Sequence, residues 1–143
     1  MEYRELMEIA FKAQKKAYAP YSHFMVGAAL LTKSGKVYEG CNVEEASLNG
    51  GTCAERNAIF RAVLEGEREF AAVAVAGKSE ADQEYPVCTP CGVCRQALRE
   101  FCDPDTFEII VGTSPEDFQV DTLGELLPHS FGPERIRAVE KKG

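Results

Sequence analysis

The stretch Asn49–Ile59, NGGTCAERNAI, puts a cysteine two residues before a glutamate. Further on, PCGVC puts Cys91 and Cys94 three apart. Residues at i and i+3 share one face of a helix, so two sulfurs can converge on one ion. Thr89-Pro90 reads as an N-cap followed by proline at the first helical position, and Thr52 reads as the cap of the earlier helix. Cys53, Cys91 and Cys94 then all lie at helix starts, where the dipole favours thiolate. Three such thiolates suit zinc. Four protein ligands would close the site for a structural role, whereas three leave a position for water.

Two plainer readings stand beside the catalytic one. Cys88, Cys91 and Cys94 form C-x-x-C-x-x-C, and with Cys53 they could make a closed four-cysteine zinc site or hold an iron–sulfur cluster. Pro90 separates an extended segment from a helix, so Cys88 need not point where Cys91 and Cys94 point. Glu55 has its own alternative. Thr52-Cys-Ala-Glu55 is a T-x-x-E capping box, and that signature by itself favours a cap over a proton-transfer group. Cys41 and Cys102 read as small buried side chains. His23 and His129 lack ligand-type spacing and read as satisfied polar residues.

These residues need a scaffold, and 143 residues suit one domain, 1–143. Acids outnumber bases 23 to 16, for a net charge of −7. That balance counts against nucleic acid as a partner. The start, MEYRELMEIA, lacks the pattern of a secretory signal, and no stretch approaches the ~20 apolar residues of a membrane span. The expected location is cytoplasmic, where clustered cysteines mean metal or catalysis more often than disulfides.

Apolar spacing predicts a helix over Glu2–Ala19, ended by APYS. Strands follow at Met25–Thr32 and Lys36–Cys41 around a Lys33-Ser34-Gly35 turn. Then come a helix over Cys53–Glu65, a strand over Phe70–Ala76, a helix over Cys91–Phe101 and a strand over Phe107–Val111. The six residues GTSPED permit a hairpin but not the crossover a parallel neighbour needs, so the strand containing FQV should run antiparallel. Asp121 or Thr122 would cap a last short helix through Leu126. This order implies an α/β fold: a three-layer α-β-α sandwich around a mixed five-stranded sheet.

CAE followed by PCGVCRQ matches the zinc deaminase signature with three cysteines. With AYAPYSHFMVGAALLT, GCNVEEAS, CAERNAIFRA and LGELLPHSF, the chain resembles the small homotetrameric zinc-dependent cytidine deaminases almost end to end. The resemblance implies hydrolytic deamination of cytidine, and of 2′-deoxycytidine, by a zinc-activated hydroxide, in pyrimidine nucleoside salvage. It implies one Zn²⁺ per chain on Cys53, Cys91 and Cys94, with Glu55 as proton shuttle. The Ala54 N–H would bind the 2-oxo group, Phe24 would pack on the base, and Asn42 and Glu44 would bind the ribose. Arg56 would donate to the cysteine sulfurs, and Phe131 of a neighbouring subunit would help close the pocket. The partner is thus a small nucleoside, and active sites lie near subunit interfaces. Leu48 stands where many members carry an aromatic residue that reaches a neighbour's site, LNGG is richer in glycine, and Cys88 is an extra thiol.

Overall fold

The structure, a computed structural model, describes residues 1–137, so residues 138–143 of the expected domain lie outside it. Ten elements follow in chain order. They are α1 (Tyr3–Gln14), β1 (Phe24–Thr32), β2 (Val37–Cys41), α2 (Ala54–Leu64), β3 (Phe70–Ser79), α3 (Gly92–Phe101), β4 (Glu108–Gly112), β5 (Phe118–Thr122), α4 (Leu123–Leu126) and α5 (Pro133–Ile136). The strands form one sheet in the order β2-β1-β3-β4-β5. β1 is antiparallel to both β2 and β3, β3 and β4 are parallel, and β5 turns back antiparallel on β4. The short GTSPED connection does make a hairpin, with Gly112 opposite Phe118. The expected mixed sheet with an antiparallel last strand is what the chain forms.

Strand side chains alternate between faces, and both faces here are apolar. Ala28, Leu30, Val73, Val75, Ile109 and Val111 pack under α2 and α3. Ala29, Leu31, Ala72, Ala74, Ala76 and Ile110 pack under α1 with Leu6, Met7 and Ala10. Fully burying each larger aliphatic side chain contributes roughly 1.5–3 kcal/mol. The alanine-rich face lets α1 lie very close: a Cβ on Gly27 would stand 2.1 Å from the Gln14 nitrogen. Gly40 does the same for α2, since a Cβ there would stand 2.2 Å from the Ala54 oxygen and 2.7 Å from the Ala58 nitrogen. Gly40 therefore fixes how deep the start of α2 sits.

Two expectations are corrected. The first helix ends at Gln14, not near Ala19. Tyr18 is drawn out of helical geometry by tertiary pairing: its N–H donates to the Asn42 carbonyl at 3.0 Å, and its carbonyl accepts from Glu44 N–H at 2.9 Å. The caps also shift by one or two residues. Cys53 and Cys91, not Thr52 and Thr89, are the N-cap residues of α2 and α3, and neither makes a side-chain capping bond. Thr52 pairs with Val43 through two backbone bonds, Thr52 N to Val43 O at 2.9 Å and Val43 N to Thr52 O at 3.0 Å. That pairing consumes the Thr52 amide to which Glu55 would have bonded, so no capping box forms there. One forms at Thr122–Glu125, at the head of α4. α5 lay outside the expected elements.

Candidate metal and active site

Two helix starts meet on one side of the sheet. Cys53, the extended residue before α2, faces Cys91, the extended residue before α3, with their sulfurs 3.9 Å apart. Cys94, one turn into α3, brings its sulfur to 3.5 Å from that of Cys91. A sulfur at a cap position that does not bond its own helix is free to point at an ion. Among the described residues, this trio is the one group of three or more metal-type ligands with donor atoms within 4.8 Å of one another. Tetrahedral zinc with Zn–S of about 2.3 Å spaces its sulfurs about 3.8 Å apart, so the trio fits that ion.

Cys88 is not in the group. Its sulfur packs beside Gly77 and the core under α2 and α3. Burial, aided by the Glu55 charge, pushes its thiol up to about 11, away from the thiolate a ligand needs. All six cysteines are free, Cys102 is buried, and Cys41 is half-buried with its thiol donating to the Lys16 carbonyl at 3.6 Å. His23 is exposed and paired with Glu80 at 3.4 Å, and His129 is exposed too.

The electrostatics favour a thiolate at Cys53, while the hydrogen bond to Cys53 and burial push the Cys94 thiol up. The Cys53 thiol is drawn down to about 5, first by its hydrogen bond with Cys94 and then by Arg56. The Arg56 Nη2 donates to the Cys53 sulfur at 3.3 Å. Its Nε is buried without a hydrogen-bond partner among the described residues. A guanidinium buried against sulfur fits a site with surplus negative charge. Three thiolates on a divalent ion leave one negative charge, and Arg56 with two helix N-termini would offset it.

Glu55 lies beside this cluster and is only 4% exposed. Burial pushes its carboxyl up to about 7, against a bond from its own backbone N–H; the Cys53 thiolate pushes it the same way as burial. A carboxyl poised near neutrality can both take and give a proton.

In front of Glu55 opens a cavity of about 270 Å³. Its walls bring together Phe24, Asn42, Glu44, Cys53, Ala54, Glu55 and Cys91, with Ser22, Val26, Cys88 and Thr89 completing them. Ala54 is the first helical residue, so its N–H has no acceptor within the helix. Asn42 braces β1: its Oδ1 accepts from Val26 N–H and its Nδ2 donates to the Phe24 carbonyl, both at 2.8 Å. An amide keeps one further N–H and one further lone pair after those bonds. Glu44 is held by Tyr21 N–H and Ser22 N–H, both at 3.1 Å. A second cavity of about 300 Å³ adjoins the first and shares Asn42, Glu44 and Cys53, with Leu48 and Arg56 on its walls. A larger cleft of about 340 Å³ along the β2 edge carries Lys36, Tyr38 and Arg61 and none of these groups.

Phe131 is not brought into its own chain's cavity. It is 58% exposed, and its carbonyl accepts from Gln96 Nε2 at 2.7 Å. Two residues gained no role from sequence reasoning. Arg95 donates to the Pro90 carbonyl at 2.7 Å, the Leu126 carbonyl at 2.6 Å and Thr89 Oγ1 at 3.4 Å, clamping the strap before α3. Its place beside Cys94 in PCGVCRQ was the available signal. Ser22 stands in AYAPYSHF, and only the fold brings it to Glu44.

The family described as cytidine and deoxycytidylate deaminase zinc-binding region matches residues 1–110. A cytidine deaminase of Halalkalibacterium halodurans is 46% identical over 134 residues, spanning 94% of this chain and 97% of that protein. One from Sporosarcina psychrophila is 42% identical over 136 residues, spanning 95% and 96%. The crystal structure of cytidine deaminase from Burkholderia pseudomallei superimposes with a TM-score of 0.82 at 47% identity, covering 92% of this chain and 100% of that one.

Proposed function

The chain belongs to the cytidine and deoxycytidylate deaminase family, and on that premise we propose that it hydrolyses cytidine, and 2′-deoxycytidine, to the uracil nucleoside and ammonia. The observation that carries this reading is a cluster of three cysteine sulfurs, two of them on the wall of a cavity that a buried glutamate also lines. Cys53, Cys91 and Cys94 would hold zinc. When bound, zinc supplies the Lewis acidity that makes water a usable nucleophile near neutral pH.

The chain's own groups do the rest. Phe24 packs on the base, and the Ala54 N–H donates to the 2-oxo group. The spare amide positions of Asn42 and the carboxylate of Glu44 hold sugar hydroxyls. Glu55 takes a proton from the water that attacks C4 and delivers it to ring N3. It then carries a second proton to the amino group, and the C4–N bond breaks with release of ammonia. A group near pH 7 suits both transfers. Arg56 keeps the sulfurs from over-neutralising the ion.

The substrate read here is a free nucleoside. No Lys or Arg among the described residues lines the 270 Å³ cavity, and the chain's charge of −7 repels anions. Phe60, Leu64 and Val93, on α2 and α3, are exposed apolar side chains, as is Phe131. Their exposure supports a homotetramer in which Phe131 closes a neighbour's cavity. No helix among the described residues is long and apolar enough to cross a membrane. The whole chain, 1–143, is read as one catalytic domain acting in cytoplasmic nucleoside salvage.

The test is incubation with cytidine, following uridine and ammonia, with and without a chelator. Deamination that stops on chelation and returns with zinc is expected. Turnover indifferent to chelation, or free cytosine used as well as cytidine, would overturn the reading.

A further inference from the structure

Glu44 is anchored by the turn before β1. Tyr21 N–H and Ser22 N–H both donate to its Oε1, and the Ser22 hydroxyl donates to Oε2 at 2.5 Å. A carboxylate offers about four lone-pair positions. Three are filled, all by donors, which leaves one. The Ser22 oxygen also accepts from Phe24 N–H at 3.0 Å, so its one proton is committed to Glu44. Ser22 thus links the wall that would pack on the base to the group that would bind the sugar.

The turn is held from several sides. His23 sits in the left-handed region, φ 58°. Its N–H donates to the Ala19 carbonyl at 3.0 Å, and its carbonyl accepts from Glu80 N–H at 2.9 Å. Tyr18 is zipped to Asn42 and Glu44 by backbone bonds. Glu44 cannot swing without breaking contacts to this segment.

We propose that Ser22 is a positioning residue for the sugar subsite. It locks Glu44 as an acceptor-only carboxylate with one free lone pair, so the site takes nucleosides with a free sugar hydroxyl and rejects those whose hydroxyl is alkylated or phosphorylated. This rests on Glu44 binding the sugar. A protonated Glu44 could donate to an ether or ester oxygen. Surrounded by three donors, it stays ionised and can only accept, and a phosphate there would meet like charge. The Ser22 bonds hold the Glu44 carboxyl below its usual range, in keeping with that role.

Threonine and valine have nearly the same shape and differ by a hydroxyl, so Ser22→Thr and Ser22→Val compare the site with and without the two Ser22 bonds; loss of the one from Phe24 N–H would show on every substrate, loss of the one to Glu44 only on those with the sugar hydroxyl. KM and kcat are measured for cytidine and for 2′,3′-dideoxycytidine, with zinc content and thermal unfolding on each preparation. Ser22→Val should raise KM for cytidine about ten-fold, the low end for a bond to a charged group, because the pair faces solvent. kcat should change little, and Ser22→Thr should stay near the unsubstituted protein. On dideoxycytidine, Thr and Val should differ less than on cytidine. Equal KM values of the two variants for cytidine would overturn the proposal.

Glu44→Ala separates the premise from the inference. If that variant prefers cytidine over dideoxycytidine as strongly as the unsubstituted protein does, the sugar assignment falls. If it loses the preference while Thr and Val remain equal on cytidine, only the role of Ser22 falls. Should a Ser22 variant not fold, the unsubstituted protein decides. At the recognised hydroxyl, the O-methyl nucleoside should be a poorer substrate than the deoxy nucleoside, and a methyl ether used as well as the parent nucleoside would contradict an acceptor-only Glu44.

Discussion

Glu55→Gln separates what the buried carboxyl does for chemistry from what it costs the fold. Burial raises its carboxyl from the ordinary 4.5 to about 7. The folded chain therefore keeps a proton that the unfolded chain releases between those values. Its contribution is fully favourable below about pH 4.5 and is lost as pH rises through 7. A change of that size is worth about 3 kcal/mol. Glutamine matches the shape and carries no charge at any pH. In chelator-treated protein the two forms should unfold at similar temperatures at pH 4.5. At pH 8 the glutamine form should be more stable by up to about 3 kcal/mol, or about 5–10 °C for a chain of this size. Zinc-loaded Glu55→Gln should lose ~10⁴-fold in deamination, the upper end for a general acid–base group, because one residue serves more than one transfer. It should still bind cytidine through the sugar and base contacts. The assays are calorimetry at both pH values and uridine release from the zinc-loaded preparation. A variant that keeps most of its activity, or whose stability difference does not grow with pH, refutes the assignment.

Four further substitutions test the surroundings. Arg56→Gln removes the guanidinium bonded to the Cys53 sulfur and should weaken zinc binding or turnover about 10–100-fold, as supporting contacts to metal ligands do; unchanged zinc affinity in a competition titration, together with unchanged turnover, would count against its role. Gly40→Ala drives a Cβ into the Ala54 oxygen and Ala58 nitrogen, so urea unfolding should show a loss of about 3 kcal/mol or more, with weaker zinc binding because the start of α2 must move. Cys88→Ser should leave zinc content at one per chain, whereas Cys91→Ser should lose the metal; loss of zinc from both would favour a site closed by four cysteines.

Much of the frame is readable from local pattern. Both faces of β1, β3 and β4 are apolar, as their uninterrupted runs announce, and the five residues between β4 and β5 admit only a hairpin. Cys91 and Cys94 declare their shared target through spacing. The failures have one physical cause, which is that long-range pairing outbids local signatures. Thr52-x-x-Glu55 and Thr122-x-x-Glu125 are the same motif in sequence. Only the second is a capping box, because the Thr52 amide is already bonded to Val43. That pairing frees Glu55 to enter the cavity. Tyr18 leaves α1 for the same reason, since Asn42 and Glu44 claim its backbone. Ser22 gave no local sign of its partner Glu44, which arrives from 22 residues away.

The central claim is an open zinc site held by three thiolates, with the fourth position left for water beside Glu55. X-ray absorption at the zinc edge of the loaded protein counts those neighbours directly. Three sulfurs at about 2.3 Å and one oxygen or nitrogen at about 2.0 Å are expected. Four sulfurs and no lighter neighbour would contradict it, because such an ion has nowhere to hold the water that the chemistry needs.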